Sequence, residues 1–370
     1  MKKINVAIFD NELGEFDEFN PRFVLLQPKV KEVITLISKK NPNFYSVKDF
    51  NKEVLSLLQN ISAIKIKDDK ISLIFPFFNN KDVKVIKRIV EKEIKKNFQT
   101  LSKNIIDLYN DVSYLYPIVD SKLALYHILC GKVFDGSFFE YLDRVGYLKS
   151  SYPKKDNRDY MLIGYQNHFI CNSFNNNLFC SINNTKFEKN LFTSFGNASG
   201  YRFDFFRYFR LKDIKKISFK YKKVDKFIKD FSKDEILKNS LEILKKVEKG
   251  QEIAENQFTK VLKIFRYISK DNKLLVPIFD DYINKNNIFS EKVEEKIGNL
   301  IINNLICIRE EILKSEISCI KHQVDVNEIS NEIWHIYFGT LNKLLVDKKI
   351  VACPNKYFRQ GRYLKCLYIN

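Results

Sequence analysis

Basic residues are the side chains of this sequence whose type and spacing best fit a chemical role. They are densest between residues 210 and 229, where nine Lys or Arg and two Asp leave a local charge of +7. Lysine and arginine neutralise phosphate groups, and aromatic rings beside them can stack on the bases of single-stranded nucleic acid. The candidate contacts in this run are Lys215, Lys216, Lys220, Lys222 and Lys223.

The aromatic residues of the same region have a second interpretation. Phe and Tyr occur 32 and 19 times in the chain, and large aromatic side chains commonly fill a core. We therefore expect most rings near the basic run to be buried, and its charges alone to form a binding surface. The rings concerned are Phe203, Phe205, Phe206, Tyr208, Phe209, Phe219, Tyr221 and Phe227.

Two possible metal-ligand groups contain cysteine and histidine. Zinc binds such mixtures, but a strong zinc signature has two close pairs of ligands. Neither group has that spacing, so we expect buried thiols that pack as small apolar residues, with no metal or other cofactor. The groups are Cys319, His322, His335 and Cys353, and His168, Cys171 and Cys180.

Motifs for catalysis are absent from the sequence. The glycine-containing loop at 196–200 lacks the lysine of a phosphate-binding loop, and no GxSxG or HExxH pattern occurs. The acidic pairs Asp280-Asp281 and Glu294-Glu295 are adjacent in sequence, and adjacent helical residues do not share a face. No catalytic residue is assigned, although carboxylates that converge only in three dimensions stay an alternative.

The elements that must position these residues begin with two helices and a hairpin. Apolar residues recur at helical spacing in 29–40, and Ser46 with Asp49 indicates a capping box before a second apolar face that ends at Leu58. Residues 63–75 then alternate around a charged turn, which predicts two antiparallel strands. Lys65, Lys67 and Lys70 lie in this hairpin.

The middle of the chain alternates between helical and strand-like patterns. A long helix is predicted within 81–117, and residues 118–150 continue as helix, turn and helix, with glycines at the break. Short alternating runs with Asn-rich turns predict strands in 158–209. Residues 233–315 return to helices, the first capped by Ser232.

A second helix-and-hairpin pattern occupies residues 318–370. Asp325 or Asn327 is expected to cap a helix, and KKIVACP and GRYLKCLYI are expected to form strands around the basic turn KYFRQGR. The basic candidates in this unit are Lys356, Arg359 and Arg362.

The units at 29–78 and 318–370 resemble winged-helix modules of bacterial regulators and replication initiators. The resemblance implies that a recognition helix enters the major groove while the hairpin lysines and arginines contact neighbouring phosphates. The predicted fold class is α+β and predominantly helical, with winged-helix-like modules at both ends and a central aromatic-rich mixed domain.

Five segments follow from these patterns. They are an N-terminal winged-helix-like domain (1–80), a long connecting or dimerisation helix (81–117), a central mixed domain (118–230), a helical domain (231–315) and a C-terminal winged-helix-like domain (316–370).

The overall charge favours an anionic partner. The 370 residues include 63 Lys and Arg against 45 Asp and Glu, a formal charge of +18, and such an excess attracts phosphate polymers. Lys, Asn and Ile are together abundant, so AT-rich coding is an alternative cause. The seven cysteines are scattered and no run reaches the roughly 18 apolar residues of a membrane span, which predicts a reducing, cytoplasmic location.

Three functional hypotheses remain. The leading one is a regulatory protein that binds duplex DNA without a cofactor, with a central domain for sensing or pairing and the long helix as a route to a homodimer. The alternatives are a metal-dependent enzyme that processes nucleic acid and a structural subunit of a larger assembly.

Overall fold

A computed structural model describes residues 5–10, 21–25, 27–149, 160–166, 180–197, 202–213, 217–357 and 361–370. Helices form most of these residues and small sheets form the rest of the regular structure, so the chain is α+β and predominantly helical, as predicted. The α-helices are α1 (Pro21–Val24), α2 (Pro28–Ile37), α3 (Lys52–Asn60), α4 (Asn80–Leu115), α5 (Ser121–His127), α6 (Phe138–Arg144), α7 (Phe205–Asp213), α8 (Lys222–Ile228), α9 (Lys233–Glu248), α10 (Gln257–Phe265), α11 (Tyr282–Val293), α12 (Asn299–Leu313), α13 (Ser318–Lys321) and α14 (Val326–Asp347).

The strands of the described residues form three sheets. One has the order β1-β5-β4, a second pairs β2 with β3, and the third has the order β6-β7-β10-β8 with β9 also paired to β10. The strands are β1 (Asn5–Asp10), β2 (Ile64–Lys67), β3 (Lys70–Leu73), β4 (Phe77–Phe78), β5 (Tyr160–Tyr165), β6 (Cys180–Phe187), β7 (Asn190–Asn197), β8 (Ile278–Phe279), β9 (Lys356–Tyr357) and β10 (Gly361–Tyr368).

The chain forms two compact units, each assembled from three stretches of sequence. Residues far apart in the chain therefore share a core in each unit. The five contiguous segments expected from the sequence stay a prediction. Unit 1 comprises Met1–Ile105, Gly136–Phe179 and Val293–Leu344, and unit 2 comprises Ile106–Asp135, Cys180–Lys292 and Leu345–Asn370.

Residues 27–78 of unit 1, called the N-terminal module, have the predicted order of helix, helix and hairpin. The capping box is present at a short 3-10 turn, because Ser46 accepts a hydrogen bond from a following backbone N–H while its own N–H donates to the Asp49 carboxylate. The module has a continuous apolar core. That core includes Val30, Ile34, Ile37, Val54, Leu58, Ile64, Ile71 and Leu73.

The long helix expected within 81–117 is α4, which spans 36 residues. Its buried side chains recur at intervals of three, four and seven residues, so one apolar stripe anchors it. Neither α4 nor another helix among the described residues is long and apolar enough to cross a bilayer. The buried stripe includes Ile86, Val90, Ile94, Leu101, Ile105, Leu108 and Val112.

Within residues 118–149 the structure differs from the predicted helix, turn and helix. A π-helical segment, Ile128–Ser137, joins α5 to α6 without a turn at Gly131 or Gly136, whereas Gly146 lies in the turn that follows α6. Gly131 serves packing within unit 2, because a Cβ built there would lie 2.7 Å from Cγ of Phe195. This glycine therefore makes room for a ring and does not terminate the helix.

The largest sheet belongs to unit 2 and includes strands predicted in 158–209. β10 lies inside this sheet, antiparallel to β7 and parallel to β8. The prediction of a strand at KKIVACP is wrong, because residues 348–354 form a turn and irregular backbone after α14. Pro354 has no N–H for a strand ladder. The strand that precedes β10 and pairs with its first two residues is the two-residue β9.

The aromatic residues around the basic run fill the core of unit 2, as expected for most of them. Phe205, Tyr208, Phe209 and Tyr221 are buried, together with apolar side chains of α8, α9 and α10. Phe219 differs, since 87% of it is exposed. Burial of the rings leaves the lysines of this region as its polar surface.

Candidate nucleic-acid interface

The exposed side of α3 is entirely polar. Asn51 caps the helix, its Oδ1 accepting hydrogen bonds from the backbone N–H groups of Glu53 (2.8 Å) and Val54 (3.3 Å). The apolar face of α3 packs in the module core. The remaining side chains can donate or accept hydrogen bonds as base-reading residues do. They are Lys52, Glu53, Ser56, Gln59 and Asn60.

The hairpin after α3 places its three lysines on one face. Lys65 pairs with Ser72 and Lys67 pairs with Lys70, while the isoleucines and Leu73 occupy the opposite face. Like charges at directly opposed positions repel each other, and a bound anion relieves that repulsion. The turn carboxylates of residues 68 and 69 offset part of the charge at the tip. Lys65, Lys67 and Lys70 are all exposed.

A basic stripe on α4 was missed by sequence reasoning, which considered the apolar positions of this helix. Its cations are exposed and follow one another at intervals of three or four residues, so they share a face about 17 Å long. The periodic spacing of Lys and Arg opposite the apolar stripe was the available signal. The α4 stripe consists of Lys84, Arg88, Lys92 and Lys95.

One member of the α4 stripe has an acidic partner. Nζ of Lys92 lies 2.9 Å from a carboxylate oxygen of Glu311 on α12. Ion pairs between exposed side chains contribute little free energy, so a phosphate can compete for this lysine. The stripe therefore keeps a net positive charge.

The described candidate lysines of the basic run in unit 2 differ in their exposure. Lys215 and Lys216 lie outside the described residues. Lys220 is half-buried with its Nζ 5.0 Å from the Phe203 ring centroid, and burial lowers its pKa to about 8. Lys222 and Lys223 are exposed at the start of α8. Among the described candidates of this run, these two are the more accessible to a phosphate.

Of the three C-terminal candidates, the structure describes the side chain of Arg362 alone. Arg359 lies outside the described residues, and Lys356 belongs to β9, of which the backbone pairing alone is described. Arg362 is exposed, and its guanidinium donates a hydrogen bond to the carbonyl of Pro354 at 3.2 Å. Their contact with nucleic acid, and the second winged-helix-like module, stay predictions.

Two of the possible metal ligands, Cys319 and His322, each donate a hydrogen bond to a backbone carbonyl. The buried thiol of Cys319 donates to the carbonyl of Phe77, and Nε2 of His322 donates to the carbonyl of Lys40. His168 and Cys171 lie outside the described residues. Across the described ranges, no group of three His, Cys, Asp or Glu residues is arranged to hold a metal ion.

One member of each acidic pair considered for catalysis lies beside a cation. Both carboxylate oxygens of Asp280 lie 3.0 Å from Nζ of Lys285, and a Glu294 oxygen lies 2.6 Å from the guanidinium of Arg144. These carboxylates are therefore neutralised by local cations.

Two buried titratable groups of unit 2 were not singled out from the sequence. His127 lies between the hydroxyls of Tyr368 (2.8 Å) and Thr193 (3.1 Å), and burial lowers its pKa to about 3. Lys365 lies in β10, and burial lowers its pKa to about 7. Lys365 lies in a strand paired with distant strands, and His127 contacts residues far away in the chain, so neither burial had a local sequence signal.

Unit 1 also contains a buried pair of titratable side chains. Nδ1 of His335 lies 3.5 Å from a carboxylate oxygen of Glu332 on α14. Burial lowers the pKa of His335 to about 4 and raises the pKa of Glu332 to about 8. Both groups are therefore mostly uncharged at pH 7, as a low-dielectric interior favours.

Comparison with known proteins adds no further constraint on the site. No protein-family model, curated protein or solved structure matches this chain.

Proposed function

We propose that this protein binds duplex DNA through unit 1. The observation that carries the proposal is the N-terminal module, in which a capped helix with a polar exposed side precedes a hairpin that presents three lysines on one face. This arrangement supports the resemblance to winged-helix modules. The same proposal includes a regulatory role for the DNA-bound protein.

The parts of the module have different roles in this proposal. Ser56, Gln59 and Asn60 of α3 contact base edges, because their side chains donate and accept hydrogen bonds in the major groove. The hairpin lysines contact phosphates, which supplies affinity without sequence preference. The α4 stripe adds further phosphate contacts in the same unit.

The test is a mobility-shift titration of labelled duplex DNA at several salt concentrations. The triple variant Lys65→Gln, Lys67→Gln and Lys70→Gln is compared with Lys238→Gln, Lys246→Gln and Lys249→Gln, which removes three exposed lysines at α9 and its C-cap. Each lost phosphate contact reduces the slope of log K against log salt by roughly 0.9. We expect the hairpin variant to lose about two to three units of slope and the α9 variant less than one.

Two outcomes contradict the proposal. One is the absence of a complex with wild-type protein even at low salt, and the other is an equal loss of affinity in the two triple variants. The same mixtures with added Mg²⁺ test the nuclease alternative, since cleavage of the duplex would replace binding as the primary activity.

A further inference from the structure

Unit 1 contains a cleft outside the proposed DNA-binding surface. Its volume is about 600 Å³, within the range of roughly 300–1,000 Å³ that small-molecule sites occupy. It lies where the end of α2, the start of α4 and the α13 segment meet. The lining residues that matter for its chemistry are Lys39, Lys40, Lys81, Asp82, Lys321 and His322.

The charge of the cleft is positive. Four lysines line it against Asp82 and Glu316, which gives four positive and two negative charges and a net of +2. Glu316 is highly exposed and lies 3.5 Å from Nζ of Lys321. An exposed pair of this kind is weak, so the lysine can turn to an anion in the cleft.

The N-terminus of α4 opens into the same cleft. Asn79 caps the helix, its Oδ1 accepting from the N–H groups of Lys81 (2.7 Å) and Asp82 (3.1 Å). The Asp82 carboxylate is buried and accepts from the backbone N–H groups of Asn79 and Ser318. The acid is thus held against the backbone, and the positive end of the helix favours an anion nearby.

A buried histidine provides an independent sign of an unfilled site. His322 is 5% exposed and lines the cleft. Its Nε2 donates to the Lys40 carbonyl at 3.1 Å, whereas its Nδ1 has no hydrogen-bond partner among the described residues. Because Nε2 is the donor and burial lowers the pKa of His322, Nδ1 of the neutral ring is an acceptor. Buried polar atoms are nearly always paired, and a hydroxyl or N–H group of a ligand in the cleft would supply the missing donor.

We propose that the cleft binds the phosphate group of a free phosphorylated small molecule. The lysines and the α4 N-terminus neutralise the phosphate, and the amide side chains of Asn41, Asn80 and Gln166 contact the rest of the ligand. This inference does not depend on DNA binding, because α3, the hairpin and the α4 stripe do not line the cleft.

Calorimetric titration of the full-length protein with inorganic pyrophosphate tests the site. Wild-type protein is expected to bind one pyrophosphate saturably. The double variant Lys40→Gln/Lys321→Gln is expected to bind at least about tenfold more weakly, since two charge-assisted contacts are lost. The matched control Lys238→Gln/Lys246→Gln, on α9 of unit 2, is expected to stay within about twofold of wild type.

The proposal is overturned if wild-type protein shows no saturable binding, or if both double variants weaken to the same extent. A second titration adds duplex DNA, because a DNA phosphate has the same chemistry as the phosphate group of a small molecule. Displacement of pyrophosphate by DNA, together with loss of DNA binding in Lys40→Gln/Lys321→Gln, would assign the cleft to the duplex and reject a free ligand. Unchanged pyrophosphate binding in the presence of DNA supports the proposal.

Discussion

At the scale of single residues, Lys365 shows how tertiary context changes the chemistry of a side chain. It lies inside β10 and is 5% exposed. Burial lowers its pKa to about 7, although Asp204 acts in the opposite direction. Its Nζ lies 5.2 Å from the ring centroid of Tyr267. Because the side chain is buried, the protonated amine of Lys365 lowers the stability of the fold relative to the neutral amine.

Replacement of Lys365 by Met is expected to stabilise the fold by about 1–3 kcal/mol at pH 7. The folded pKa of about 7 lies below the ordinary value of 10.5, so the unfolded chain binds more protons between these values. The contribution of Lys365 to wild-type stability therefore rises with pH across this window and falls as pH returns to 7. Urea unfolding at pH 7, 8.5 and 10 should show a variant advantage that shrinks with pH.

The exposed Lys238→Met variant is the control for this experiment. It removes a lysine without removing a buried charge, so its stability should follow the wild-type pH profile. An equal effect of Lys365→Met at all three pH values would contradict the assigned burial effect.

At the scale of elements, the segment from α5 to α6 shows why a glycine is ambiguous in a sequence. Glycine commonly marks a turn, yet Gly131 and Gly136 both lie within the π-helical segment. Gly131 faces the Phe195 ring, whereas a Cβ at Gly136 would meet nothing within 4 Å. One glycine makes room for packing and the other does not.

The two glycines give a matched pair of substitutions. Gly131→Ala is expected to cost about 1–3 kcal/mol, because the new methyl group overlaps the Phe195 ring in a closely packed core. Gly136→Ala is expected to be neutral or to stabilise by up to about 1 kcal/mol, since alanine restricts the unfolded chain. Thermal or urea unfolding of both variants measures the contrast, and similar losses in the two would contradict this packing.

At the scale of the whole molecule, the net charge of +18 is distributed over several surfaces with different local structure. The α4 stripe is regular and exposed, whereas Lys220 and Lys365 are partly or fully buried. Total charge therefore overstates the number of lysines that can meet a phosphate. The proposed division between phosphate contacts and base contacts is testable with different DNA sequences.

Neutralisation of the α4 stripe should weaken binding to all duplexes alike. Lys84→Gln, Arg88→Gln, Lys92→Gln and Lys95→Gln together are expected to reduce affinity by similar factors for preferred and random DNA, because phosphate contacts carry no sequence information. In the proposed complex Gln59 makes a bidentate base contact, so Gln59→Ala is expected to reduce discrimination between preferred and random DNA by about 1–3 kcal/mol. Competition titrations with both DNAs measure the ratio, and a selective effect of the stripe variant would contradict this division.

Local patterns of the sequence determined the helices, caps and hairpin. The α2 spacing, the Ser46 capping box, the Ser232 cap and the alternation in β2 and β3 each depend on contacts between residues near in sequence. Hydrogen bonds within a helix or a tight hairpin close over a few residues, so propensity and periodicity predict them. Exposure of the hairpin lysines followed from the same alternation.

The tertiary structure alone decided the long-range features. The sequence gives no register for β10 between β7 and β8, because such pairing joins residues that are distant in the chain. The same holds for the burial of Lys365 and for the cleft, whose lysines come from the ends of α2, α4 and α13. These features depend on which surfaces meet after folding, and non-local contacts leave no periodic signal in the sequence.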